Sequence, residues 1–154
     1  MKPLLKVEDL HLSLTTPSRS LNILRGISFE IYPGEIAALV GESGSGKSLT
    51  ASAILGLLPS SQKVTGKILF EDQHLPDLSP QDFAHLRGTR LSLILQDPAL
   101  ALNPLIPIGE QLIEGLCYHK KMSKKEARKK GMQWLARVGI GDAATRMEQY
   151  PHEI

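Results

Sequence analysis

The chain has 154 residues, and 18 Lys and Arg against 16 Asp and Glu leave a net charge of +2. That length holds one domain, or one domain and part of another, and 42% apolar with 22% charged residues excludes wholesale disorder. One cysteine excludes an internal disulfide framework, and the near-balance of charge excludes a nucleic-acid binder that works through a strong basic field.

Residues 4–14 (LLKVEDLHLSL) alternate from Val7 onward, with Leu10, Leu12 and Leu14 on one face, the pattern of a half-buried strand. TTPSRS reads as a loop. Residues 23–31 form a second strand, with Ile27, Phe29 and Ile31 in period two, and Pro33-Gly34 is a tight turn. Residues 36–40 (IAALV) are continuously apolar and predict a strand buried on both faces of a parallel sheet. Residues 49–58 read as a helix that stops before Pro59. Short strands follow at 67–70 and, as a second buried run, at 91–95 (LSLIL).

The second half is helical in pattern. Ser79-Pro80-Gln81-Asp82 starts a helix, with Ser79 as N-cap, Pro80 first, Asp82 the reciprocal acid and Leu78 and Phe83 as a hydrophobic staple. A helix runs from about Ile108 to His119. Ser123-Lys124-Lys125-Glu126 is a second capping box, and Ala127, Gly131, Trp134, Leu135 and Val138 make one stripe of the helix after it. No apolar run approaches the ~20 residues of a membrane helix. The N-terminus also lacks the apolar core of a secretory signal, so a cytosolic protein is expected.

Residues 41–48 read GESGSGKS, which is G-x-x-x-x-G-K-[ST] with Gly44 as a further glycine. An apolar strand enters it and a helix leaves it, the context this phosphate-binding motif requires. Glycines let successive backbone N–H groups curl around a phosphate without Cβ clashes. The helix N-terminus adds partial positive charge. Lys47 supplies a full charge to the β- and γ-phosphates of a nucleotide, and Ser48 offers a hydroxyl to Mg²⁺. The nucleotide-binding set is therefore Gly41, Glu42, Ser43, Gly44, Ser45, Gly46, Lys47, Ser48 and Leu49. Gln96 follows the run 91–95 and would stand at the carboxyl end of a parallel strand, where α/β ligands bind. There it could touch Mg²⁺ or orient an attacking water, although its spacing alone favours a loop glutamine that caps exposed backbone.

Taken together, Gly41 to Ser48, Gln96 in QDPALALNP and Ile108-Gly109-Glu110-Gln111 resemble an ATP-binding subunit of an ABC transporter, nearest the bacterial dipeptide, oligopeptide and nickel importer group. LRGISFEIYPGE before the loop and the terminal YPHEI carry the same likeness, which covers residues 4–154. The resemblance implies an α/β fold: a P-loop NTPase core with an N-terminal antiparallel β subdomain over residues 1–96, then a Q-loop and part of a helical subdomain over 97–154. It implies catalytic roles for Lys47 and Gln96, Mg²⁺ contacts from Ser48 and Gln96, and an ATPase coupled to uptake of a peptide or nickel. The implied partners are membrane permease subunits, a second ATP-binding subunit (the same or a different one) and, indirectly, a solute-binding protein, with no nucleic acid. The implied place is the cytoplasmic side of the bacterial inner membrane.

Ile154 stands where the family's signature loop begins. No counterpart of the Walker B aspartate or its neighbouring glutamate occurs in these residues, so an N-terminal part is expected, without ATP turnover as an isolated chain. A non-catalytic nucleotide-binding or interaction fragment is the alternative. A soluble ABC-type ATPase of DNA repair or translation is a further one, disfavoured by the balanced charge and the QDP…LNP…GEQ pattern. Residues 13–25 hold no aromatic, so no adenine-stacking residue is assigned. The five histidines lack metal-ligand spacing, and Cys117 reads as a small core or interface residue. Residues 120–130 hold seven basic residues and one acid: a solvated helix face first, a contact for anionic lipid headgroups second.

Overall fold

The computed structural model describes residues 1–16, 19–97 and 101–153, the side chains of residues 15, 16, 19 and 20 excepted. Residues 17–18 of the expected loop, Pro98 to Leu100 of the QDP stretch and Ile154 lie outside them. The chain divides into two compact units, 1–87 and 88–154.

The first unit is built on an antiparallel sheet of β1 (Leu5–Thr16), β2 (Arg19–Ile31), β3 (Gln62–Phe70) and β4 (Gln73–His74), in the order β2-β1-β3-β4. β1 and β2 form a hairpin from Leu5↔Ile31 to Thr16↔Arg19, so the strands take up most of the expected TTPSRS loop. The alternation in β1 has a phase break. Val7, Leu10 and Leu12 are all buried, although Val7 and Leu10 are an odd number of residues apart. A bulge at Asp9 (φ 48°) restores the phase. Its backbone fits because a glycine stands on each flanking strand. A Cβ at Gly66 would lie 2.3 Å from the Asp9 carbonyl oxygen, and one at Gly26 would lie 2.9 Å from Asp9 Oδ1. Asp9 N–H also donates to Ser28 Oγ at 2.9 Å. On the exposed face Lys6 pairs with Glu8 and Glu30, and the Glu8 bond raises the lysine's pKa above its ordinary value.

Helix α1 (Lys47–Ile54) is shorter than expected. Gly56, at φ 59°, ends it before Pro59 is reached. Gly56 N–H donates to Ala53 O and Leu57 N–H to Ser52 O, the paired bonds of a Schellman motif. Arg87 adds a cation there: Nε donates to Leu55 O at 2.8 Å and Nη2 to Gly56 O at 3.0 Å, while its guanidinium lies over the Phe83 ring. Phe83 belongs to α2 (Pro80–Leu86), whose expected N-cap, Ser79, accepts from Asp82 N–H.

The two apolar runs depart from expectation. Neither 36–40 nor 92–95 is a strand, and Ile36, Val40 and Ile94 are 98%, 89% and 93% exposed. A strand exists only with a ladder partner. Among the described residues the sheet is wholly antiparallel and places no strand beside either run.

The second unit packs α3 (Ile108–Lys120), α4 (Lys124–Arg137) and α5 (Ala143–Glu148) around Ile113, Leu116, Ala127, Leu135 and Met147. Two glycines set the spacing: a Cβ at Gly109 would meet Met147 O at 2.4 Å, and one at Gly131 would meet Met147 Cε at 3.1 Å. Both halves of the Ser123–Glu126 capping box form. Gly139 ends α4 with a second Schellman pair, Gly139 N–H to Ala136 O and Ile140 N–H to Leu135 O. Of the expected stripe, Ala127, Gly131 and Leu135 are buried, whereas Trp134 and Val138 are exposed at 38% and 72%. The stripe is narrower than the pattern suggested because α4 meets its neighbours on one side only. Cys117 is a free thiol packed against this core. Among the described residues no helix is long and apolar enough to cross a membrane.

Candidate functional site

The loop 41–46 leads straight into α1, and its conformation is one that glycine permits. Gly44 and Gly46 take φ 79° and 95°, in the left-handed region. Gly46 is also sterically fixed from outside: a Cβ there would stand 2.4 Å from Leu24 Cδ2, and Leu24 is buried in β2. Strand β2 therefore sets the height at which the loop meets the helix. At Gly41 a Cβ would meet Ser45 Oγ at 2.8 Å, so the two ends of the loop lie close together.

The first turn of α1 has no side-chain cap, because its N-cap is Gly46. Below it, buried Thr50 donates its hydroxyl to Gly46 O at 3.0 Å and its N–H to the same oxygen at 2.8 Å, which fastens the loop to the helix. Lys47 turns back over the loop. Its Nζ donates to Glu42 O at 2.6 Å, Gly41 O at 2.9 Å and Ser45 Oγ at 3.3 Å. The structure thus joins Gly41, Glu42, Ser45, Gly46 and Lys47 in one hydrogen-bonded turn. Glu42, Ser43, Gly44 and Ser48 are exposed around it, and Leu49 is half-buried. This turn can present a cation, uncapped helix N–H donors and a hydroxyl to one anion. That donor set suits a polyphosphate with a hard divalent cation.

Gln96 belongs to the second unit, where it is exposed and outside any regular element. Asn103 and Ile106, further along the chain, are held by a different glutamine. Gln111 Oε1 accepts from Asn103 N–H at 2.8 Å, while its Nε2 donates to Asn103 O at 2.8 Å and to Ile106 O at 2.7 Å. Asn103 Oδ1 accepts from Leu105 N–H, an Asx turn. The LNP and GEQ pieces of the sequence pattern are therefore two sides of one clamp. Arg87, Leu24 and Thr50 position the loop or its helix without a local sequence signal, since their partners are distant in the chain or are backbone carbonyls. An open groove of about 590 Å³ lies along α3 and α4, lined by Ile106, Glu110, Glu114, Tyr118 and Arg128 among others.

The profile of the ABC transporter family matches residues 24–154, and the chain belongs to that family. It is 50% identical to the dipeptide transport ATP-binding protein DppD of Bacillus subtilis (strain 168), over 99% of this chain and 46% of that protein. It is 40% identical to the oligopeptide transport ATP-binding protein OppD of Escherichia coli (strain K12), over 97% of this chain and 44% of that protein. The chain thus spans under half the length of these relatives. A dimeric structure of MJ0796, a bacterial ABC transporter cassette, superposes with a TM-score of 0.79 at 22% identity, over 97% of this chain and 62% of that one. A post-hydrolysis dimer of the same cassette, bound to ADP and Pi, gives 0.77 at 21% identity. The fold class is that of an ABC cassette, an α/β P-loop architecture with an antiparallel β part and helices.

Proposed function

We propose that this chain binds MgATP at residues 41–49 and serves the ATP-binding subunit of a dipeptide or oligopeptide importer. The observation that carries the reading is the self-closed turn in which Lys47 Nζ is held over Gly41 O and Glu42 O at the uncapped start of α1. A triphosphate would take over the lysine from those two carbonyls and the N–H groups of the first turn. Ser48 would supply a hydroxyl to Mg²⁺, and the metal would neutralise charge on the β- and γ-oxygens. Gln96 is proposed as a second contact to Mg²⁺ or to the attacking water. Peptide rather than nickel is the solute we favour, because the relatives above are named for dipeptides and oligopeptides. We assign the remaining features to assembly at the cytoplasmic face of a membrane, with a second ATP-binding subunit and with permease subunits. A solute-binding protein would act through the permeases.

Calorimetry on the purified chain tests this. Lys47→Ala is expected to weaken MgATP binding by about 1.5–3 kcal/mol, tenfold to more than a hundredfold, as for a lost charge-assisted hydrogen bond. Ser48→Ala is expected to weaken binding only when Mg²⁺ is present. Equal affinity for wild type and Lys47→Ala would remove the assignment. Binding without phosphate release at saturating MgATP would mark this chain as a nucleotide-binding module rather than an ATPase by itself.

A further inference from the structure

Residues 120–130 carry seven basic side chains and one acid, which leaves the rest of the chain at −4. The structure shows how few of these cations are answered. Arg128 pairs with Glu148, Lys121 lies over the Tyr118 ring and Lys130 over the Trp134 ring. Lys120, Lys124, Lys125 and Lys129 have no carboxylate partner among the described residues. Their placement costs local stability twice. Lys124 and Lys125 stand in the first turn of α4, where the helix dipole disfavours cations. Lys124 with Arg128, and Lys125 with Lys129, are like-charge pairs at i,i+4. Only Glu126, already engaged by Ser123, offsets them within the turn. Beside Lys125 and Lys129 the surface opens a shallow apolar hollow on half-buried Met132. Tyr118, near the end of α3 and beneath Lys121, is 50% exposed.

An array that is unfavourable alone becomes favourable against a dense sheet of negative charge. Lysines with an amphipathic aromatic beside them are the composition found at the headgroup level of membranes. We propose that the N-terminal half of α4, with the end of α3, binds the anionic phospholipid headgroups of a membrane surface. This surface lies in the second unit and does not rest on the nucleotide reading.

The test is co-sedimentation of the full chain with vesicles of phosphatidylcholine alone and of phosphatidylcholine with about 30% phosphatidylglycerol, at low and high salt. Binding is expected to the anionic vesicles only, weakening as salt rises. Lys120→Gln, Lys125→Gln and Lys129→Gln together are expected to lower the partition by on the order of a hundredfold, about fivefold per lysine. The corresponding triple Arg variant keeps the charge and is expected to retain it. Far-UV circular dichroism and MgATP affinity stay unchanged in both variants, which separates this surface from the phosphate loop. Equal partition to neutral vesicles, or a Gln variant that partitions like wild type, overturns the proposal. So does displacement by millimolar inorganic phosphate, which assigns the surface to a free anion, or tighter retention on a single-stranded oligonucleotide, which assigns it to nucleic acid.

Discussion

The antiparallel sheet and the two apolar runs are made from the same kinds of residue and end in opposite places. In the sheet Leu10 and Leu12 are fully buried and Ile68 is 1% exposed, whereas Ile94 in the second run is 93% exposed. Hydrophobicity does not separate them, since LSLIL is as apolar as the inner face of β1. What separates them is the supply of partners. β1 lies between β2 and β3, each in register with it for most of its length. The runs 36–40 and 91–95 have no ladder neighbour among the described residues beyond a bridge at Leu91. A continuous apolar run therefore states a demand for cover on both faces. It does not show that the cover is present.

The largest expected effect sharpens that contrast. Leu12→Ala removes a fully buried side chain from the middle strand and is expected to cost about 2–5 kcal/mol. Urea unfolding followed by far-UV circular dichroism measures it. If Leu12→Ala unfolds at the wild-type midpoint, the sheet is not the stabilising core of the first unit, and the comparison fails on its buried side.

How much could be read in the sequence follows the distance between partners. The Ser79 and Ser123 caps were legible because donor and acceptor are three residues apart. The phosphate-type turn was legible for the same reason: Lys47 reaches back only to Ser45, Glu42 and Gly41. The helix ends at Gly56 and Gly139 were legible in principle, since a glycine at this position is the usual stop, yet Pro59 was the more conspicuous breaker after α1. The Asp9 bulge was not legible, because its reason lies in Gly26 and Gly66 on two other strands. Nor was the β3–β4 turn, where Glu71 and Asp72 adopt φ 50° and 64°, values usually left to Asn and Gly. For Gln111 the pattern was visible, but its clamp on Asn103 and Ile106 needed coordinates.

The capping box at α4 is the limiting case of a signal with its partner at hand, and an intermediate effect is expected there. Ser123→Ala is expected to cost about 1 kcal/mol at neutral pH. The bond from the Ser123 hydroxyl, then that from its backbone N–H, hold the Glu126 carboxyl below its ordinary pKa. A carboxyl depressed in the folded state stabilises above its unfolded pKa. That contribution is lost as the pH falls through the ordinary glutamate range and on through the depressed value. Amide protection at the start of α4, taken relative to the intrinsic exchange rate at each pH, is therefore expected to fall in acid in the wild type and to change less in Ser123→Ala. The same acid response in both would show that the box does not hold the helix start.

The smallest expected effect bears most directly on the contrast. Ile36→Ser and Ile94→Ser replace apolar side chains that are 98% and 93% exposed. Nothing is transferred out of a core, so each change is expected to alter the stability of this chain by no more than about 0.5 kcal/mol, as for ordinary surface substitutions. The double variant should also bind less of a dye that reports exposed apolar surface, and should aggregate less, since unpaired apolar segments are templates for association. Urea midpoints and dye fluorescence on the same samples measure both. A loss of 2 kcal/mol or more, in the range set by Leu12→Ala, would mean that the runs are covered in solution. The partner would then have to be another part of this chain or a second copy, and dilution decides between them, because only cover by a second copy weakens as the protein is made dilute.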